Sequence, residues 1–120
     1  MNAALNPVAY RQAKNLIARG KFVYDEPEAW SEHHPTTRME NEFVEAHGFA
    51  AYGNWFLGTN SAYQEGTTRH HELPYGDFES VHRCALLAAK RRAAEQKTVE
   101  IEQAIARLLA LMEVKSAELA

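Results

Sequence analysis

The stretch "HHELPYGDFESVHRC", residues 70–84, sets how the second half of the chain folds. It gathers His70, His71, His82 and the lone cysteine, Cys84, with acids between them. Asp77 can accept hydrogen bonds from the N–H groups of a following turn, and its charge suits the positive end of a helix dipole. Gly76 just before it eases the backbone into that turn. The spacing therefore predicts a helix opening at Asp77. Phe78, Val81, Ala85 and Ala88 would form its apolar stripe, widened by Leu86, Ala89 and Ala93. On such a helix His82 and Cys84 point about 200° apart, so one ion cannot hold both.

No Gly or Pro occurs from 77 to 120, but one continuous helix would run to about 65 Å, too long for a small domain. A break is expected at "QKT" (96–98), with Thr98 as a new N-cap and Glu100 and Glu102 in the first turn of the last helix. Ile101, Ile105, Leu108 and Met112 then form an inward seam, and folding back yields a helical hairpin.

Toward the N-terminus, residues 59–74 have no apolar period and read as a long loop, a place to look for a binding edge. "GFAAYGNWFLG" (48–58) spaces its aromatics for a two-turn helix closed by Gly58. Thr37 with Glu40 resembles a capping box for a helix over 38–47. "DEPEAWSEHHP" is a turn-rich connector, and "KFVY" (21–24) is extended but too brief for a sheet. Asn6 and Pro7 open a helix over 7–19, which Gly20 closes. The expected architecture is all-α: a single domain, residues 1–120, of about five helices ending in a long antiparallel helical hairpin.

A chain of 120 residues, 46% hydrophobic and 24% charged, can bury one core. One cysteine excludes an internal disulfide and a multi-cysteine zinc cage, and fits a reducing compartment. The start has no apolar leader and no run approaches the ~20 residues needed to span a bilayer, so a cytoplasmic protein with no membrane partner is expected. The net charge of −3 exerts no general pull on nucleic acid or anionic lipid. Locally, charge is segregated. Residues 1–24 carry four cations and no acid, whereas 25–46 carry seven acids against Arg38 alone.

For chemistry, "HELPY" (71–75) begins like the zinc-protease motif, but Tyr75 stands where the second histidine belongs and Pro74 breaks the required helix. Phosphate-binding glycine loops are absent. A divalent-metal site such as zinc would have to be assembled in space from His33, His34, His70, His71, His82 and Glu72. The simpler reading makes His82 a partly buried imidazole with one hydrogen bond and Cys84 a small core residue. No catalytic residue is singled out.

Arg83, Lys90 and Lys97 repeat every seven residues with Arg91 alongside, a face that could track phosphates but equally suits a solvated helix. Phe49, Tyr52, Trp55 and Phe56, with Leu109 and Met112 of the last helix, present more apolar surface than one neighbour needs. "EFVEAHGFAAYGNWFLG" and "LPYGDFESVHRCALLAAKRRAAEQ", together with "WSEHHP", resemble a family of small uncharacterised bacterial proteins, "PYGDF" followed by "VHR" being the most distinctive wording. That resemblance implies a bacterial source and a shared fold, and carries no site across. The expected function is a non-catalytic binding or self-association module, a homodimer or a partner of another protein, with no cofactor. A histidine-based divalent-metal site, enzymatic or not, is the first alternative, and nucleic-acid binding the second.

Overall fold

Asn6 accepts a hydrogen bond from the Ala9 N–H and Pro7 takes the first helical position, so α1 (Pro7–Ala18) begins where its sequence says it should. The Asn6 amide also donates to the carbonyls of Gly53 and Phe56 at 3.1 and 3.3 Å, tying that helix start to a segment far along the chain. The computed structural model describes residues 3–120.

The fold is α+β, which corrects the all-α expectation: among the described residues, five helices are accompanied by two small sheets. β1 (Ala4–Leu5), β3 (Phe56–Thr59) and β4 (His71–Pro74) form an antiparallel sheet in the order β1-β3-β4. β2 (Phe22–Val23) and β5 (Val81–His82) pair in parallel, Phe22 opposite Val81 and Val23 opposite His82. Two-residue strands carry almost no sequence signal, and each is held by a partner distant in the chain. The "KFVY" piece is thus long enough for a sheet after all.

Three helical expectations are also revised. α3 (Thr37–Gly53) runs on past residue 47, bent at Gly48, whose φ of 87° only glycine adopts without strain. Its cap is Thr36, which accepts from the Met39 N–H at 3.1 Å. The aromatic stretch beyond it leaves the helix and enters β3, and the long loop of 59–74 contains β4 after a short turn at Thr68–His70. No helix opens at Asp77. Its carboxylate instead accepts from the N–H groups of Glu79 and Ser80 at 3.0 and 2.8 Å, closing a tight turn that leads into β5. Gly76 is required there because a side-chain carbon would come within 2.3 Å of the Ser80 carbonyl oxygen.

α4 (Arg83–Glu95) and α5 (Val99–Leu119) form the expected hairpin, broken at 96–98, and α1 packs against α5. The short α2 (Trp30–His33) lies against α4. Ala9, Ala13 and Ile17 of α1, Leu57 and Leu73 of the larger sheet, Leu86 and Ala93 of α4 and Ile101, Ile105, Leu108 and Met112 of α5 share one core. Small alanines on α1 and α4 allow close approach of the backbones. No described helix is long and apolar enough to cross a membrane.

Two phenols are locked into this core. Tyr75 donates to the Asn54 carbonyl at 2.7 Å and accepts from the Gln12 amide at 3.0 Å. Burial, which outweighs the Gln12 hydrogen bond, pushes its ionisation upward. Burial, with Glu40 adding to it, pushes Tyr52 from 10.0 up to about 12. An unfolded chain would ionise both at the ordinary value. The stability they contribute is therefore complete below pH 10 and is lost as pH rises toward 12. In alkaline titration, two of the five tyrosines should ionise only together with the loss of helical circular dichroism. Free ionisation of all five before unfolding would contradict this packing.

Candidate metal centre

The parallel pairing of β2 with β5 builds the site. Val23 lies opposite His82, so two residues further on Asp25 arrives beside Cys84. The Asp25 Oδ1 atom accepts from the Cys84 N–H at 2.8 Å, which makes it the cap of α4, supplied from 59 residues away. Arg83 completes the clamp: its Nε donates to the Asp25 carbonyl at 3.0 Å while its guanidinium lies 4.2 Å from the centre of the Tyr24 ring.

The other oxygen of Asp25 is the focus of three side chains. His82 Nδ1 approaches it at 2.7 Å, His33 Nδ1 at 2.8 Å and the Cys84 thiol at 3.0 Å. His33 Nδ1 and Cys84 Sγ are themselves 3.8 Å apart. One donor atom from each of Asp25, His33, His82 and Cys84 lies within 4.8 Å of every other. His82 is braced from behind, its Nε2 lying 2.8 Å from Asp77 Oδ2. His82 and Cys84 therefore share one polar hollow, which overturns the expectation that a helix would aim them apart. His82 belongs to a strand, and the helix starts only at Arg83.

The electrostatics follow from this geometry. Burial by itself would raise the Asp25 carboxyl, but hydrogen bonds from Cys84, His82 and His33 hold it well below the usual carboxylate range. Burial likewise opposes the ionisation of Asp77, yet His82 and the N–H groups of Ser80 and Glu79 pull it down to about 2. The Asp77 hydrogen bond, followed by that to Asp25, raises His82 against its desolvation. Both ring nitrogens of His82 face carboxylate oxygens, which can only accept, so without a metal the ring is an imidazolium. Burial and the Asp25 charge push the Cys84 thiol up to about 12. A thiol so placed becomes a thiolate only with a cation beside it.

Of the sequence candidates, His33 and His82 meet here. His34 turns away, its Nδ1 at 2.9 Å from the Pro35 carbonyl and its ring edge-on to Trp30. His70 and His71 pack against each other elsewhere, and Glu72 accepts from Asn60. Burial and the neighbouring His70 lower the His71 ring, which lies edge-on to Tyr52. Asp25, Asp77 and Cys84 are not among the candidates that sequence spacing offers. No local signal points to Asp25, which reaches the site only through the pairing of β2 with β5.

The basic face is partly engaged. Arg83 is held by Asp25 and Tyr24, and Arg91 reaches Glu28 at 3.5 Å, while Lys90 is half-buried and Lys97 exposed. Tyr52, Trp55, Phe56 and Met112 are buried in the chain's own core, with Phe49 and Leu109 half-buried against it. Comparison with known protein families, curated proteins and solved structures finds no match to any of them.

Replacing Asp25 with Ala removes the acceptor for three side chains and a helix N–H at once. In the presence of a chelator, urea unfolding of Asp25→Ala should show a loss of about 3 kcal/mol, as for a broken buried ion pair. A loss under about 1 kcal/mol, the scale of a surface pair, would contradict its central role.

Proposed function

We propose that this chain is a non-catalytic metal-binding module that holds one divalent transition-metal ion, zinc by its donor chemistry, through Asp25, His33, His82 and Cys84. The observation that carries this is the convergence of two imidazoles and a thiol within 3.0 Å of one buried carboxylate oxygen. Sulfur with imidazole nitrogen selects zinc over magnesium or calcium, which prefer oxygen. In a tetrahedral shell with bonds of about 2.0–2.3 Å, neighbouring donors are about 3.3–3.8 Å apart. His33 Nδ1 and Cys84 Sγ already stand at that spacing, 3.8 Å apart, whereas the Asp25 oxygen, at 2.7–3.0 Å from its three partners, would have to draw back from them. As an ion entered, His82 Nδ1 and the Cys84 thiol would each release a proton, and the Nδ1 proton of His33, which faces the same Asp25 oxygen, would leave or move to Nε2, whereas the Asp77 contact to His82 Nε2 would stay.

Four protein donors fill that shell, the arrangement of a structural rather than a catalytic ion. The ligands come from the connector after β2, from α2, from β5 and from the start of α4. Bound metal would clasp the acidic 25–34 connector to the helical hairpin, a link that the sequence between them cannot make by local contacts. Asp77 is the outer partner that aims His82.

Protein made without a histidine tag should retain about one zinc per chain by elemental analysis, and Cys84→Ser or His82→Ala should lose it. In cobalt-substituted protein the near-ultraviolet spectrum should show a thiolate-to-cobalt charge-transfer band that Cys84→Ser abolishes. Chelation should expose the 25–34 connector to proteolysis. Failure to hold stoichiometric zinc or cobalt after reconstitution and gel filtration would refute the proposal. A separate expectation concerns Asp77→Ala, which leaves all four donors in place. Its zinc affinity should fall by about 10–100-fold in a competition titration, and an unchanged affinity would remove Asp77 from the site.

A further inference from the structure

A second feature lies across the molecule's α1–α3 face and uses none of the four donors. Arg11 and Asn15 on one exposed side of α1, with Arg19 just past its C-terminal end, recur every fourth residue and border a hollow of about 660 Å³. Its apolar wall is aromatic: Phe43 of α3 stacks on Phe78 at 4.5 Å and 13°, and Trp55 meets Phe78 edge-on at 6.0 Å. Neither arginine side chain has an ion-pair or hydrogen-bond partner among the described residues, in contrast to Arg38, Arg83 and Arg91.

Phe78 adds an independent observation. Its φ of 71° is the left-handed conformation, which a bulky side chain adopts only against strain. The Asp77 turn and the stack on Phe43 hold it there, so the ring is fixed as a wall of the hollow and is not free to collapse into it. Strain of this kind is concentrated at binding sites. A second hollow of about 500 Å³ shares Phe43, His47 and Phe78 but is rimmed by Glu42, Asp77 and Glu79. The trough is thus polarised, with cations at the α1 end and acids at the other. An anion is drawn to one end only.

We propose that the α1 end of this trough binds a small aromatic anion, an aryl ring carrying a carboxylate or a phosphate. The ring would lie against Phe43, Phe78 and Trp55, and the anionic group would face Arg11 and Arg19. Guanidinium groups recognise both anions in the same forked geometry and also stack on aromatic faces. The volume is in the range of small-molecule sites. The proposal is independent of the metal, because the two sites touch only through the Asp77–Phe78 turn.

Calorimetric titration with phenyl phosphate and with 4-hydroxybenzoate tests it, and the two arms separate an aryl phosphate from an aryl carboxylate. At least one should bind saturably, while inorganic phosphate and benzyl alcohol bind at least about tenfold more weakly. Arg11→Gln with Arg19→Gln, both at exposed positions, should weaken the aryl anion by about tenfold or more with the circular dichroism spectrum unchanged. Phe43→Ala should weaken it as well. Cys84→Ser should leave it intact, so that failure of the metal proposal and failure of this one are told apart. Three results would overturn it: no saturation by either aryl anion, equal binding by inorganic phosphate alone, or unchanged affinity in the double arginine variant.

Discussion

One carboxylate organises the centre of this molecule. Asp25 caps a helix that begins 58 residues later, and at the same time its second oxygen gathers His33, His82 and Cys84. A buried charge survives only when its lone pairs are filled, and here donors from α2, β5 and α4 fill them, while Arg83 holds the Asp25 carbonyl. Every other feature of the site follows from keeping that charge buried. The parallel β2–β5 pair brings it in register, Arg83 clamps its backbone, and Asp77 fixes the far side of His82.

The same constraint explains the odd turn at 76–80. Asp77 is occupied twice, closing the turn with one oxygen and bracing His82 with the other. To satisfy both, the backbone passes through Gly76, where no side chain fits, and through Phe78 in a strained conformation. Strain at Phe78 is offset by its stack on Phe43 and its contacts with Tyr52 and Trp55. The turn therefore links a polar cluster on one side to an aromatic trough on the other.

Helices with local signals are legible in the residues themselves. The Asn6–Pro7 start of α1 and the break at 96–98 appear where caps and apolar spacing put them, because each depends on residues within a turn or two; the α4–α5 hairpin forms as well, but α4 opens at Arg83 rather than Asp77, and the Thr98 hydroxyl donates to the Ala93 carbonyl instead of capping α5. The small strands are not legible in this way. β1, β2 and β5 have two residues each, and two residues cannot display a period; only pairing with a distant strand makes them strands. The metal centre is hidden for the same reason. Reading Asp77 as a helix cap places His82 and Cys84 on a helix and drives them apart, whereas a strand ending at His82 lets both face Asp25.

Local propensity and periodicity, which act over a few residues, are enough to dictate the helical hairpin, the capped first helix, much of the core and the supply of histidine, acid and thiol groups. Long-range pairing is what makes Asp25 rather than Asp77 the cap of α4, brings His33 and His82 together while His34, His70 and His71 stay apart, and sets two unpaired arginines along an aromatic trough. Such arrangements depend on which distant segments meet and in what register, and no pattern confined to neighbouring residues encodes that.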